Sequence, residues 1–258
     1  MKKRIRYGLI IIIFIILGIF IVLSNSVRMS DFTIQDETEK IKEAKTYGDE
    51  VVGWLRVEGT NIDLPLIRAT DQTDVITADY DFAWTNSNPD QNSNRPAYIS
   101  HNIRNVSSNP IVGDETMRRF ESLMSFIYPE FLEENQFIEY TDATGETALY
   151  RIYAVALLED NQEASFFDTY TKEEQAAYID KVKEESLYTM SVDVSSDDLL
   201  LTLFTCTRFY GASTNYSFRV DARKLRANEE KKLYDVKKSK HYQKIEARMK
   251  EGVEDEEV

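Results

Sequence analysis

An uncharged, strongly apolar run stands near the N-terminus of the chain. Residues Tyr7 to Leu23 include seventeen positions without a charge, and four basic residues within Met1–Arg6 precede them. At about 1.5 Å of rise per residue, a helix of this length is close to the minimum that crosses a bilayer core. The basic residues hold the N-terminus in the cytoplasm, so everything after Ser24 is expected outside the cell membrane. The pattern predicts a single-pass signal anchor within residues 1–27.

Two other interpretations of this run are weaker. A cleaved signal peptide has a shorter hydrophobic region of 7–15 residues and a small-residue cleavage site, for which Leu23–Val27 is a poor substitute. A buried globular helix is the other alternative, but nothing later in the chain is as apolar. An uncleaved anchor with an extracellular domain is therefore the prediction.

Composition excludes several functional classes. The 258 residues carry 45 acidic and 31 basic side chains, a net charge of −14, which makes phosphate-mediated binding of nucleic acid a poor prediction. One cysteine allows no internal disulfide, and with only two histidines a structural zinc site is very unfavourable. Aromatic residues make up 12% of the chain, enough with the apolar runs for a packed core. No metal or cofactor is predicted.

Short β-type runs bounded by turn signals dominate residues 28–225. The predicted strands are 51–57, 62–67, 96–100, 137–140, 148–158, 199–205 and 216–225. Apolar residues at helical spacing predict helices at Glu115–Phe126 and Lys172–Ser186, and a more polar one at Ser30–Lys45. The fold class is therefore mostly β with flanking helices, as a closed or nearly closed barrel after one transmembrane helix.

A densely charged segment follows the last predicted strand. Residues 226–258 hold nine basic and nine acidic residues and end in an acidic run. This composition favours a solvated helix that frays into disorder, and a docking surface for a partner or the cell wall is the alternative.

The lone cysteine ends an almost continuous apolar strand, Leu199 to Cys206. A free thiol in an exported protein is a liability unless it is used, although free cysteines are most often small buried core residues. A nucleophilic thiol needs a nearby cation or base, and His101, at the end of a predicted strand, is a candidate. His101 could equally be a hydrogen-bonded loop histidine, and His241 lies in the charged segment.

Several motifs resemble the sortases, the membrane-anchored cysteine transpeptidases of Gram-positive bacteria. Leu201–Cys206 resembles their TLxTC signature, and Val52–Pro65 resembles the opening motif of the class B branch. Ser100–Asn102 with the helical segment after it, and the long helix before the cysteine strand, also resemble class B. The resemblance extends over most of residues 37–225.

This resemblance implies an eight-stranded sortase-type barrel with a catalytic cysteine, histidine and arginine. Cys206 and His101 match the first two, and Thr205 is a candidate for binding substrate. For the arginine, Arg219 fits best within the strand that follows the cysteine. Arg223 lies on the same strand face by alternation, and Arg208 lies close to the cysteine in sequence, so both stay open.

The implied activity is cleavage of a C-terminal sorting motif in exported surface proteins or pilins, with transfer of the acyl group to an amine. That amine belongs to a peptidoglycan cross-bridge or to a pilin lysine, and the segment Cys206–Gly211 and the strand with Arg219 lean toward pilus-linked or clostridial-type members. An exported cysteine hydrolase and a non-catalytic surface module are the alternatives.

Overall fold

A computed structural model of the chain describes residue 42 and residues 51–68, 83–85, 97–101, 119–159, 170–207, 209–210 and 216–254. All of these belong to the compact unit Ile41–Val258. The predicted signal anchor and, apart from Lys42, the predicted helix at Ser30–Lys45 lie outside the described residues. Within the described ranges no helix has the length and apolar character needed to cross a membrane.

Eight strands of the described part close into a barrel in the order β1-β2-β3-β4-β8-β9-β6-β5. Pairing of β5 with β1 completes the circle, the β2–β3 and β4–β8 pairs are parallel, and the others are antiparallel. The predicted mostly-β barrel is confirmed. The strands are β1 Val51–Val57, β2 Asp63–Arg68, β3 Ala83–Thr85, β4 Ala97–His101, β5 Phe137–Asp142, β6 Thr147–Glu159, β8 Leu200–Thr207 and β9 Tyr216–Lys224, with β7 Tyr188–Thr189 and β10 Lys237–Lys238 paired outside the barrel.

Strands β8 and β9 are buried on both faces. One face carries apolar side chains of the barrel core, such as Leu203 and Val220. The other face carries polar and charged side chains that are also buried, among them Thr202, Asp221 and Arg223. This second face needs a cover of other elements, because a buried charge is tolerated only when it is paired.

Besides the helical residue Lys42, three α-helices and one 3₁₀ helix lie in the described residues. They are the 3₁₀ helix Arg119–Ile127, α1 Pro129–Glu134, α2 Lys172–Glu185 and α3 Lys240–Glu254. The predicted α2 is confirmed, whereas the helix predicted at Glu115–Phe126 is a 3₁₀ helix where it is described. Its apolar residues at three-residue spacing, Leu123 and Phe126, suit the 3₁₀ period, and Pro129 begins a separate helix.

The charged C-terminal segment contains the predicted helix, α3, but parts of the segment are packed onto the rest of the domain, which differs from the solvated helix favoured by the sequence. Gln136 makes two hydrogen bonds to the backbone of Tyr234, of 2.7 and 2.9 Å. Farther on, β10 pairs with β7, and Tyr242 and Ile245 of α3 are buried. The local sequence does not reveal this packing, because the partners lie between 48 and 98 residues earlier in the chain.

A capping box begins α2. The Thr171 side chain accepts from the Glu174 backbone N–H at 3.2 Å, and the Glu174 carboxylate accepts from the Thr171 N–H at 2.7 Å. We expect Thr171→Ala to lower the free energy of unfolding by about 1 kcal/mol, because one helix N–H loses its acceptor. Urea unfolding measures it, with Glu173→Gln in the same turn as the control. Equal midpoints for the two variants would contradict the role of the cap.

Candidate active site

The parallel pairing of β4 with β8 brings the predicted histidine and cysteine together. His101 is the last residue of β4 and lies in register with Thr205, the residue before Cys206. Neighbouring strands lie about 4.8 Å apart, so the backbones at His101 and Cys206 are close neighbours. Because parallel strands end at the same edge of a sheet, both positions lie where chemistry is commonly placed in such sheets.

Strand β9 lies on the other side of Cys206. Cys206 is in register with Ser217, and Phe204 is in register with Arg219. The Arg219 position is therefore two residues, roughly 7 Å, along the strand from the partner of Cys206. Three strands thus carry the predicted cysteine, histidine and arginine side by side.

The other arginine candidates are placed differently. Arg223 is in register with Leu200, six residues and roughly 20 Å of strand before Cys206. Its guanidinium is fully committed to Glu229 and to backbone carbonyls of Asp193 and Lys224. Arg223 is thus a structural arginine. Arg208 lies outside the described residues.

Arg219 is buried and makes two charge-assisted contacts. Its Nε donates to Asp221 at 2.7 Å, and its Nη2 donates to Glu185 at 2.9 Å. Burial lowers the pKa of Arg219, but Asp221, Tyr178 and Glu185 together raise this pKa above its ordinary value. The guanidinium is therefore a permanent cation close to the Cys206 strand.

Thr205 is the third predicted site residue on β8. It is fully buried, between His101 on one side and Phe218 on the other in the strand register. Thr205 therefore lies between β4, the strand that carries His101, and β9, the strand that carries Arg219. A role in binding substrate stays a prediction.

An aromatic group that the sequence did not single out follows Cys206. Phe209 contacts Tyr210 edge to face at 4.9 Å between ring centroids, and Tyr210 contacts Tyr216 at 4.7 Å. Tyr210 is among the few exposed large apolar side chains of the described residues. Rings at this spacing supply a rigid apolar surface beside the site.

No cluster of three or more potential metal ligands occurs among the described residues. The charged groups described around Arg219 are its two carboxylate partners, Asp221 and Glu185. Adjacent strands thus carry a histidine, a cysteine and an arginine, residue types that are suited to nucleophilic acyl transfer.

Comparisons with known proteins agree with this arrangement. No protein-family model matches the chain. Sortase B of Staphylococcus aureus is 23% identical over 176 residues, which cover 64% of this chain and 66% of that protein. Sortase B of Listeria monocytogenes is 25% identical over 177 residues, which cover 65% and 67%. The chain thus spans about two thirds of the length of these relatives.

Solved structures show the same fold. The Clostridium perfringens sortase B structure superposes with a TM-score of 0.58 at 20% identity, covering 72% of this chain and 99% of that one. A Staphylococcus aureus sortase B–substrate complex superposes with a TM-score of 0.55 at 18% identity, covering 73% and 85%. The barrel is therefore a sortase fold. Its relatives in sequence and in structure are class B sortases, which are cysteine transpeptidases, and this confirms the predicted resemblance.

Proposed function

We propose that this chain is a membrane-anchored cysteine transpeptidase of the sortase B type. The observation that supports this most is the strand register, in which His101 at the end of β4 and Arg219 on β9 flank the segment Phe204–Cys206. The chain has one cysteine, so no other residue can supply the thiol.

The reaction consists of two acyl transfers. The Cys206 thiolate attacks the scissile carbonyl carbon of a sorting motif, and the C–N bond breaks to leave a thioester. His101, as imidazolium, gives its proton to the leaving amine. An incoming amine then attacks the thioester carbon, His101 takes the proton of that amine, and the Cys206 thiolate is released.

Arg219 supplies positive charge for the tetrahedral intermediates. Their oxygen becomes an anion, and a guanidinium already held near the cysteine strand stabilises it without reorganisation. Losing one such donor costs about 10²–10³ in rate. Thr205 connects the two flanking strands at this point and is proposed to orient the bound motif.

The substrates follow from the relatives and the predicted topology. We propose exported surface proteins or pilins with a C-terminal sorting motif as acyl donors. The acceptor is the amine of a peptidoglycan cross-bridge or of a pilin lysine. An anchor at Tyr7–Leu23 would hold the enzyme at the membrane that also holds its substrates, which raises their effective concentration without added contacts.

Product analysis tests this function. The full-length chain in detergent is incubated with a library of candidate sorting-motif peptides, with and without oligoglycine or a lysine amine, and products are identified by mass spectrometry. We expect an amine-joined product from the wild type and none from Cys206→Ala, because the thiol is the nucleophile.

Each other result has a definite meaning. Cleavage without joining, whichever amine is offered, would identify a cysteine hydrolase instead. Equal product from Cys206→Ala would reject Cys206 as the nucleophile. No reaction, together with a Cys206 that resists thiol reagents, would reject the enzyme and leave the surface module. Glu184→Gln, an exposed change on α2, serves as the control for purification and folding.

A further inference from the structure

A network of buried polar groups surrounds Arg219. Asp221, fully buried, accepts from Arg219 through one oxygen. Its other oxygen accepts from the Thr202 hydroxyl at 2.8 Å and from the Tyr178 hydroxyl at 3.0 Å. Three donors from two strands and one helix therefore satisfy and fix this carboxylate.

The second carboxylate on Arg219 has a different environment. Glu185 is the last residue of α2, and its side chain keeps 21% of its surface exposed, whereas the Asp221 side chain has none exposed. Its other near cation is Lys181, at 3.8 Å on the same helix. Moving Glu185 into solvent therefore costs far less than moving Asp221, which has no access to water.

The two contacts also use different edges of the guanidinium. Asp221 holds Nε, near the strand, and Glu185 holds Nη2, at the far end of the side chain. A guanidinium that stabilises an oxyanion needs a free terminal nitrogen and a fixed orientation. The anchored Nε provides the orientation, and Glu185 is a charged acceptor that competes with an oxyanion for the N–H groups of Nη2, one of the two terminal nitrogens.

We propose that Asp221 and Glu185 are positioning residues that set the activity of Arg219. Asp221 is a permanent anchor that orients the guanidinium. Glu185 is an exchangeable partner that holds Nη2 in the resting enzyme and gives it up to the oxygen of the scissile carbonyl. This inference rests on the proposed acyl transfer at Cys206 and specifies how its arginine is controlled.

The two carboxylates predict opposite kinetic effects. Asp221→Asn should lower kcat at least 10-fold with little change in KM, because the arginine acts on the charge of the transition state and loses its orientation. Glu185→Gln should raise kcat/KM about threefold, because a neutral amide competes less with the oxyanion for Nη2. Glu184→Gln, one residue earlier on α2, should leave both parameters unchanged.

The experiment uses the full-length chain in detergent and the best peptide and amine from the product analysis. Steady-state kinetics of the wild type, Asp221→Asn, Glu185→Gln, Glu184→Gln and Arg219→Gln give the split between kcat and KM. The NMR signal of the Arg219 Nε–H group reports the anchor without any substrate. We expect that signal to exchange faster with solvent in Asp221→Asn and to persist in Glu185→Gln.

The possible outcomes distinguish a failure of this inference from a failure of the proposed transpeptidase function. A wild type that joins peptides, with Arg219→Gln strongly impaired but Asp221→Asn and Glu185→Gln unchanged, would overturn the positioning roles and keep the transpeptidase. Full activity of Arg219→Gln would also overturn them. If Asp221→Asn fails to fold, Glu185→Gln decides: a fall in kcat/KM would refute an exchangeable partner. No joining by the wild type would instead reject the proposed function.

Discussion

Replacing Glu229 by glutamine should lower the free energy of unfolding by about 3 kcal/mol, because two buried arginines share its negative charge. Glu229 forms two hydrogen bonds to Arg223, of 2.6 and 2.8 Å, and an ion pair with Arg151 at 3.3 Å. The Arg151 side chain is fully buried and Arg223 is nearly so. Without the Glu229 carboxylate, the two buried guanidiniums keep their positive charges and lose the anion that they share.

Acid should produce the same loss in the wild type. Hydrogen bonding to Arg223 is the main reason why the pKa of Glu229 falls from 4.5 to about 2. A carboxylate with a depressed pKa adds stability that is complete above about 4.5 and is lost as the pH falls toward 2. A shift of this size corresponds to about 3 kcal/mol.

Guanidinium unfolding at several pH values, followed by tryptophan fluorescence, measures both effects. The wild type should lose stability steeply between pH 4.5 and 2, and Glu229→Gln should start lower and lose less over that interval. Glu230→Gln is a matched control, because only the backbone oxygen of Glu230 accepts from Arg151. Parallel pH profiles for the wild type and Glu229→Gln would contradict the assignment.

Gly53→Ala should also destabilise the barrel, by about 3 kcal/mol, because the β1 backbone has no space for a methyl group. A Cβ at this position would collide with the Thr141 carbonyl oxygen and would lie 2.5 Å from Cε2 of Tyr140. The Tyr140 ring is itself fixed, since its hydroxyl donates to the Val52 carbonyl at 2.9 Å and the ring is buried. Neither neighbour can withdraw without disturbing the β1–β5 pairing.

Gly145→Ala separates crowding from backbone strain. Gly145 has a φ of +93° and no atom within 4 Å of an added Cβ, so its substitution carries only the conformational cost of about 1 kcal/mol. Urea midpoints of the two variants give the comparison. A Gly53→Ala protein no less stable than Gly145→Ala would show that β1 yields to the added methyl group.

Much of the barrel could be predicted because its strands have local signatures. The strand at Val51–Val57 matches its predicted bounds, and that at Thr147–Glu159 exceeds them by one residue at each end. By contrast, β3 at Ala83–Thr85 has three residues and precedes a run of polar residues in the sequence. β3 is defined by its pairing with β2 and β4. Such contacts between distant segments leave no periodic pattern in the local sequence.

The site residues also differ in whether the sequence alone could identify them. Cys206 and His101 stand out because the chain has one cysteine and two histidines. Asp221 and Glu185 could not stand out among 45 acidic residues, since their role depends on the register of β8 and β9 and on where α2 ends. The docking of the charged segment was missed for a related reason: its binding partners, Gln136 and Arg151, precede it by 79 to 98 residues.

That docking has a consequence for the order in which the protein folds. The Arg151 guanidinium donates to the carbonyls of Glu230 and Lys232 and stacks against the ring of Tyr234 at 4.8 Å. The buried guanidinium on β6 therefore lacks these partners until the chain up to Tyr234 has been synthesised. Strand pairings between residues that are far apart in the sequence form slowly. The packing around β6 therefore cannot be completed before residues 230–234 are available, although the last barrel strand, β9, already ends at Lys224.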